Sequence, residues 1–255
     1  MYYPTSIILT PIVTRLHQYS TYPLTAFLAL HITNTSLLPL ITPNLPAAST
    51  YLLLTRPFYQ SRLLEPLVVT IPLTTHILSG IALRFLRRQQ ALSRYGTLPT
   101  TKRTSSPWPT LSFSSITGYA LLPLALSHTF LNRILPLIYE GGSSDISLEY
   151  VGHGIARSPV VLTVAYFLLV TVGVAHGVWG WARWLGLLPG QVTVRDGDGS
   201  ERAWKRKSRA YGVTGTAAVV GLTWLAGGLG VVGRGGKVKG WVGALWDGLY
   251  EKVWL

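Results

Sequence analysis

Apolar residues gather into five blocks, at about 21–41, 64–86, 116–138, 158–185 and 211–232, separated by polar or charged stretches. A helix needs roughly 20 apolar residues to cross a bilayer. Only helices and closed barrels satisfy their own backbone groups in hydrocarbon. The blocks therefore predict an all-α integral membrane protein with five transmembrane helices. The stretch "WVGALWDGLYEKVWL" that ends the chain has another pattern. Trp241, Leu245, Trp246, Leu249, Tyr250 and Val253 recur at helical spacing, while Lys239, Asp247, Glu251 and Lys252 lie mostly off that stripe. This predicts a C-terminal interfacial amphipathic helix.

The pattern repeats internally. "HITNTSLLPLI" (31–41) matches "HTFLNRILPLI" (128–138): a histidine, a proline eight residues on, then Leu-Ile. "HILSG" (76–80) is echoed by "HGVWG" (176–180), so His31 to His128 is an offset of 97 and His76 to His176 one of 100. We read one membrane domain over 1–255: repeat one at 15–90, repeat two at 112–187, and an extra span with its tail at 211–255. Two hairpins running in the same direction predict a two-fold pseudo-symmetric four-helix bundle about an axis along the membrane normal.

Composition supports the membrane reading. Only 12 % of the residues are charged, against about 25 % in an ordinary soluble domain. The net charge of +13 sits beside the spans, which suits anionic lipid and argues against nucleic acid as the partner. The loop after the second span carries Arg84, Arg87, Arg88, Arg94, Lys102 and Arg103 without an acid; the loop after the third carries Glu140, Asp145 and Glu149 against Arg157. The positive-inside rule then predicts a cytosolic N-terminus. The first twenty residues lack a basic n-region and a small-residue cleavage site, so no cleaved signal is expected there. The absence of cysteine excludes disulfides, thiolate metal sites, a Cys nucleophile and c-type haem attachment. No hydrolase or nucleotide-binding constellation occurs, and the chain is read as non-enzymatic.

The histidines are the candidate chemistry. Symmetry predicts that His31 faces His128 and that His76 faces His176, each near mid-span. Gly80 and Gly180 follow their histidines by one helical turn on the same face and open a flat slot beside the imidazole. Facing neutral imidazoles are axial ligands for haem b; they are equally hydrogen-bonding core residues. Asn34 and Asn132 are hard to satisfy within their own helix, and are candidates for a lipid path or for bonds between helices.

"HILSGIALR" resembles the His-x-x-x-Gly-Ile motif of the cytochrome b membrane anchors of succinate dehydrogenase and fumarate reductase, and "SITG" (115–118) is similar to their Ser/Thr-Gly helix start. Those anchors continue Gly-Ile-Arg-His and then Asp. Here Gly80-Ile81-Ala82-Leu83-Arg84 follows, so the residues that serve quinone and the iron–sulfur partner are missing. The five spans, tandem halves and Trp-rich tail resemble, over essentially the whole chain, the fungal MCP-type mitochondrial outer-membrane adaptors. That resemblance implies a multi-pass outer-membrane protein with its N-terminus in the cytosol. It further implies recruitment of a bridge-like lipid-transfer protein of the VPS type at organelle contact sites, with phospholipid scrambling as an associated activity. The family recruits through a Pro-x-Pro motif, normally before the first span; the only match here is Pro107-Trp108-Pro109. The alternative is a di-haem cytochrome with His31/His128 and His76/His176 as axial pairs.

Overall fold

The computed structural model describes residues 5–95, 108–192 and 199–255, and every regular element among them is helical. Five helical runs are long and apolar enough to cross a membrane: Ser6–Ile41, Glu65–Ser93, Phe113–Glu140, Pro159–Gln191 and Gly199–Arg234. These are the five predicted spans, and two begin earlier than expected. The first extends back through α1 (Thr5–Tyr19), which joins α2 (Thr21–Ile32) with a break at Ser20 alone. The fifth includes the charged segment "ERAWKRKSRA" (201–210), whose Glu, Arg, Lys and Ala are good helix formers. A Glu201–Lys205 pair at 2.6 Å, one turn apart, supports it.

Contacts divide the chain into two compact units: Met1–Leu30 with Thr55–Leu111, and His31–Leu54 with Ser112–Leu255. The division runs through the first span, so the units do not coincide with the two sequence repeats. In the first unit, α1 packs along α6 (Ile71–Tyr95). In the second, α7 (Phe113–Thr129) packs on α10 (Pro159–Trp184), which also packs on α11 (Gly199–Gly228). Local chemistry sets several of these ends. Ser112 caps α7 by accepting the Ser115 N–H at 3.3 Å. Pro159 opens α10, where its missing N–H costs nothing. Gly186, at φ +71°, ends that helix in the left-handed conformation.

The duplicated prolines explain a second duplicated feature. A proline inside a helix removes one N–H and crowds the carbonyl four residues back. Two residues before Pro39 lies a π-helical segment, Thr33–Leu37; two residues before Pro136 lies its counterpart, Phe130–Ile134. The Leu38 N–H reaches the Thr33 carbonyl, and the Leu135 N–H reaches that of Phe130. The widened turn thus absorbs the proline, and the chain continues as α3 (Leu38–Ile41) and α8 (Leu135–Glu140). The first widened turn also drives Ser36 onto α11, where its hydroxyl donates to the Thr223 carbonyl at 2.8 Å. Gly227 makes that approach feasible: a Cβ there would overlap the Ser36 carbonyl and hydroxyl.

Two elements were not anticipated. Between the first two spans, α4 (Leu45–Thr55) is too short to cross a bilayer. Its Ala48 and Leu52 pack on Leu148 and Val232, and Ser49 donates to Glu149 at 2.5 Å. Leu148 and Glu149 open α9 (Leu148–Arg157). The tail forms a helix, α12 (Gly240–Glu251), but of the apolar stripe expected to lie at the interface all except Trp241 packs within the protein. Trp246, Leu249 and Tyr250 are buried with Leu135, Ile146, Tyr150, Ile155 and Leu162, whereas Trp241 stays exposed. Polar groups lock the same contact. His153 is fully buried; its Nδ1 accepts the Val238 N–H at 3.0 Å, so its Nε2–H donates to Asp247 at 3.1 Å. Arg157 donates to Asp247 at 2.5 Å and to the Leu255 carbonyl at 2.6 Å. Burial pushes the Asp247 carboxyl up, but hydrogen bonds from Arg157 and His153 outweigh it and hold the group below the ordinary carboxylate value.

Candidate functional site: histidine clasps within the spans

In hydrocarbon an imidazole N–H must find an acceptor inside the protein, because an unsatisfied group there is costly. His17 on α1 and His76 on α6 solve this reciprocally. His17 Nδ1–H donates to the His76 carbonyl at 3.0 Å, and His76 Nδ1–H donates to the His17 carbonyl at 3.2 Å. Their rings stack 4.0 Å apart at 19°. Two hydroxyls complete the clasp. Ser20 lies 3.3 Å from His76 Nδ1 and donates to the His17 carbonyl at 2.9 Å; Ser79 lies 3.1 Å from His17 Nδ1. Gly80 permits the approach, since a Cβ there would come 3.2 Å from the His17 ring. The slot beside Gly80 is thus filled by an imidazole of the same unit.

The second unit repeats the arrangement. His176 Nδ1–H on α10 donates to the Ser114 carbonyl of α7 at 3.1 Å, with the Thr117 hydroxyl 3.4 Å away. Ser114 and Thr117 lie 97 residues after His17 and Ser20, and His176 lies 100 after His76. These are the offsets of the sequence repeat. The glycine changes helix: a Cβ on Gly118 of α7 would come 2.9 Å from the His176 ring, whereas one on Gly180 would meet nothing within 4 Å. A serine takes the place of His17, so this clasp has one imidazole.

His31 and His128 do meet, as symmetry predicts: their rings lie 5.9 Å apart at 76°. Trp224 packs edge-on to His31 at 6.4 Å and Tyr166 to His128 at 5.7 Å. Asn132 donates to the His128 carbonyl at 2.9 Å and to the Tyr166 hydroxyl at 3.1 Å, tying the second widened turn to α10. Its role is thus a bond between helices. Thr35, 97 residues earlier, makes the matching bond to the His31 carbonyl at 2.7 Å. Asn34 is buried at 1 % exposure, away from any lipid-facing surface.

These placements bear on haem through tautomers. The amide nitrogen of Asn132 lies 3.3 Å from His128 Nδ1, but its two hydrogens already serve the His128 carbonyl and the Tyr166 hydroxyl, so this contact does not set the His128 tautomer. The tautomers of His76 and His176 are set: each donates Nδ1–H to a carbonyl and keeps its lone pair on Nε2. A backbone carbonyl on the far nitrogen is the usual support of a ligating histidine, so these two fit an axial role. Among the described residues no group of three or more His, Cys, Asp or Glu is placed to hold a metal ion.

Pro107 lies outside the described residues. Trp108 lies against α6, beneath the Arg84 and Arg88 guanidiniums at 5.2 and 4.6 Å and edge-on to Phe85 at 5.8 Å. Arg84 also donates to the Pro109 carbonyl.

Sequence reading missed His17, Ser20 and Tyr166. His17 was visible in principle, because it sits 97 residues before Ser114 in a repeat whose offset was known. What hid it is that its counterpart is a serine and that it precedes the first apolar block.

Residues 123–237 match the family model of the MDM10-complementing protein 1 transmembrane domain. No curated protein and no solved structure matches the chain.

His17→Phe keeps a ring against His76 but removes two hydrogen bonds and leaves the His76 carbonyl without that donor. We expect thermal unfolding in detergent to show a loss of about 1–3 kcal/mol; an unchanged transition would show that the clasp contributes no stability.

Proposed function

We propose, from the match of residues 123–237 to the MDM10-complementing protein 1 transmembrane domain, that this chain is a mitochondrial outer-membrane adaptor that recruits a bridge-like lipid-transfer protein at organelle contacts and moves phospholipid between leaflets. The family match carries this reading. Its setting supports it: five helices long and apolar enough to span a membrane, and no strand among the described residues. The basic loops beside the second and fifth spans suit a surface that meets anionic lipid on the cytosolic side. Thr70, Thr74 and Ser127 stand exposed on their spans, where hydroxyls can lower the cost of passing a headgroup. Asn34 and Asn132, being turned to protein, do not serve that path.

Pro107-Trp108-Pro109 is the recruitment segment in this reading, with Trp108 presented on an arginine pair. Changing Pro107 and Pro109 to Ala is expected to abolish partner recruitment to mitochondria without loss of the protein itself; undiminished recruitment would remove the segment from the model of function. Reconstituted in vesicles with dye-labelled lipid, the chain is expected to expose inner-leaflet dye to a membrane-impermeant quencher. Bleaching that stops at the outer leaflet would remove scrambling.

A second reading is favoured by the tautomers of His76 and His176. In it the protein holds haem b, which would supply one-electron chemistry or structural support, and each of these residues, within its own unit, is a candidate ligand held in orientation by the carbonyl of His17 or of Ser114. A Soret band in the detergent-purified chain, weakened or lost in His76→Ala, is the expected spectrum; a colourless folded protein would end this reading.

A further inference from the structure

The charged start of α11 divides its basic residues between two faces. Arg206 donates to the Pro189 carbonyl at 3.3 Å and Arg209 to that of Gly186 at 2.8 Å. Lys205 is paired with Glu201. With Arg202, these lie on one side of the helix at three- and four-residue spacing, and three of the four hold protein groups. On the opposite side, at the same spacing, stand Trp204, Lys207, Ser208 and Tyr211, which line an open cleft. Lys207 is exposed and enters no ion pair or hydrogen bond among the described residues. Trp204 and Tyr211 are 66 % and 68 % exposed.

Below the cleft the same stripe continues into the apolar span as Gly215, Ala218 and Leu222, all exposed. A Cβ on Gly215 would meet nothing within 4 Å. The stripe thus presents, in order, a cation with a hydroxyl donor between two aromatic rings, a shallow stretch without large side chains, and a leucine. This order matches a phospholipid read from headgroup to acyl chain. Aromatic rings sit at headgroup level in membranes, and a juxtamembrane lysine attracts anionic lipid.

We propose that this face of α11 binds one anionic phospholipid, with its phosphoryl headgroup on Lys207 and Ser208 between Trp204 and Tyr211 and an acyl chain along Gly215, Ala218 and Leu222. The site is a fixed lipid position and does not depend on whether the chain scrambles lipid or recruits a partner.

Native mass spectrometry of the full chain in detergent tests this, with phosphatidylserine or phosphatidylcholine added and with excess inorganic phosphate in a third arm. We expect one phosphatidylserine to be retained about fivefold more than phosphatidylcholine, the preference a single surface lysine supplies. Lys207→Gln should erase that preference, Lys207→Arg should keep it, and Arg202→Gln, on the other face, should leave it unchanged. Gly215→Leu should lower retention of both lipids by occupying the acyl-chain position. Equal retention of the two lipids by the wild-type chain, wild-type behaviour of Lys207→Gln, or an equal loss in Arg202→Gln would overturn the site. Displacement by inorganic phosphate would overturn it as a lipid site and assign the cleft to free phosphate.

Discussion

Within hydrocarbon an N–H has no water to turn to, and that constraint organises the membrane part of this protein. Each clasp places an imidazole Nδ1–H on a backbone carbonyl of a neighbouring helix, with a hydroxyl beside it. The bond ties two helices at one height, and it forms only where the backbones come close. Gly80 and Gly118 provide that closeness, from opposite members of their helix pairs. A histidine in such a span is therefore a packing device first. Any further chemistry must use the other ring nitrogen.

The same constraint governs the prolines. Removing one N–H from a helix in lipid would leave a carbonyl without its donor, and the widened turns before Pro39 and Pro136 redistribute the bonds around that gap. The bulge then acquires a use of its own. In the first repeat it presses Ser36 against Gly227 of the fifth span. In the second it sends Asn132 to Tyr166, while Arg133 donates to Ser143 at 3.0 Å. One kind of irregularity thus serves two packing tasks.

Outside the spans the logic shifts to charge and aromatic burial. Tyr150 and Tyr250 stack at 4.8 Å, and the Tyr250 hydroxyl donates to the Tyr150 carbonyl at 3.1 Å. The His153–Asp247–Arg157 group closes the same contact from the polar side. This arrangement draws the tail helix onto α9. A helix whose stripe looked suited to lie on lipid keeps only part of that stripe for lipid, because a protein surface of matching shape was available nearby.

The chain's hydropathy alone determined that it is helical, with five helices long and apolar enough to cross a membrane, because length, apolarity and spacing are local properties written residue by residue. It also carried the His31–His128 meeting, since two equivalent positions related by a repeat approach one another. Tertiary structure decided what those histidines bond to. His76 is engaged by His17, a residue before the first apolar block, and His176 by a backbone carbonyl, which no side-chain pattern announces. It likewise decided that α4 and α9 pair through Ser49 and Glu149, and that two arginines of α11 hold the preceding loop while Lys207 faces away. Hydrogen-bond partners distant in the chain depend on how closely two backbones approach, and that distance is settled only when the helices pack.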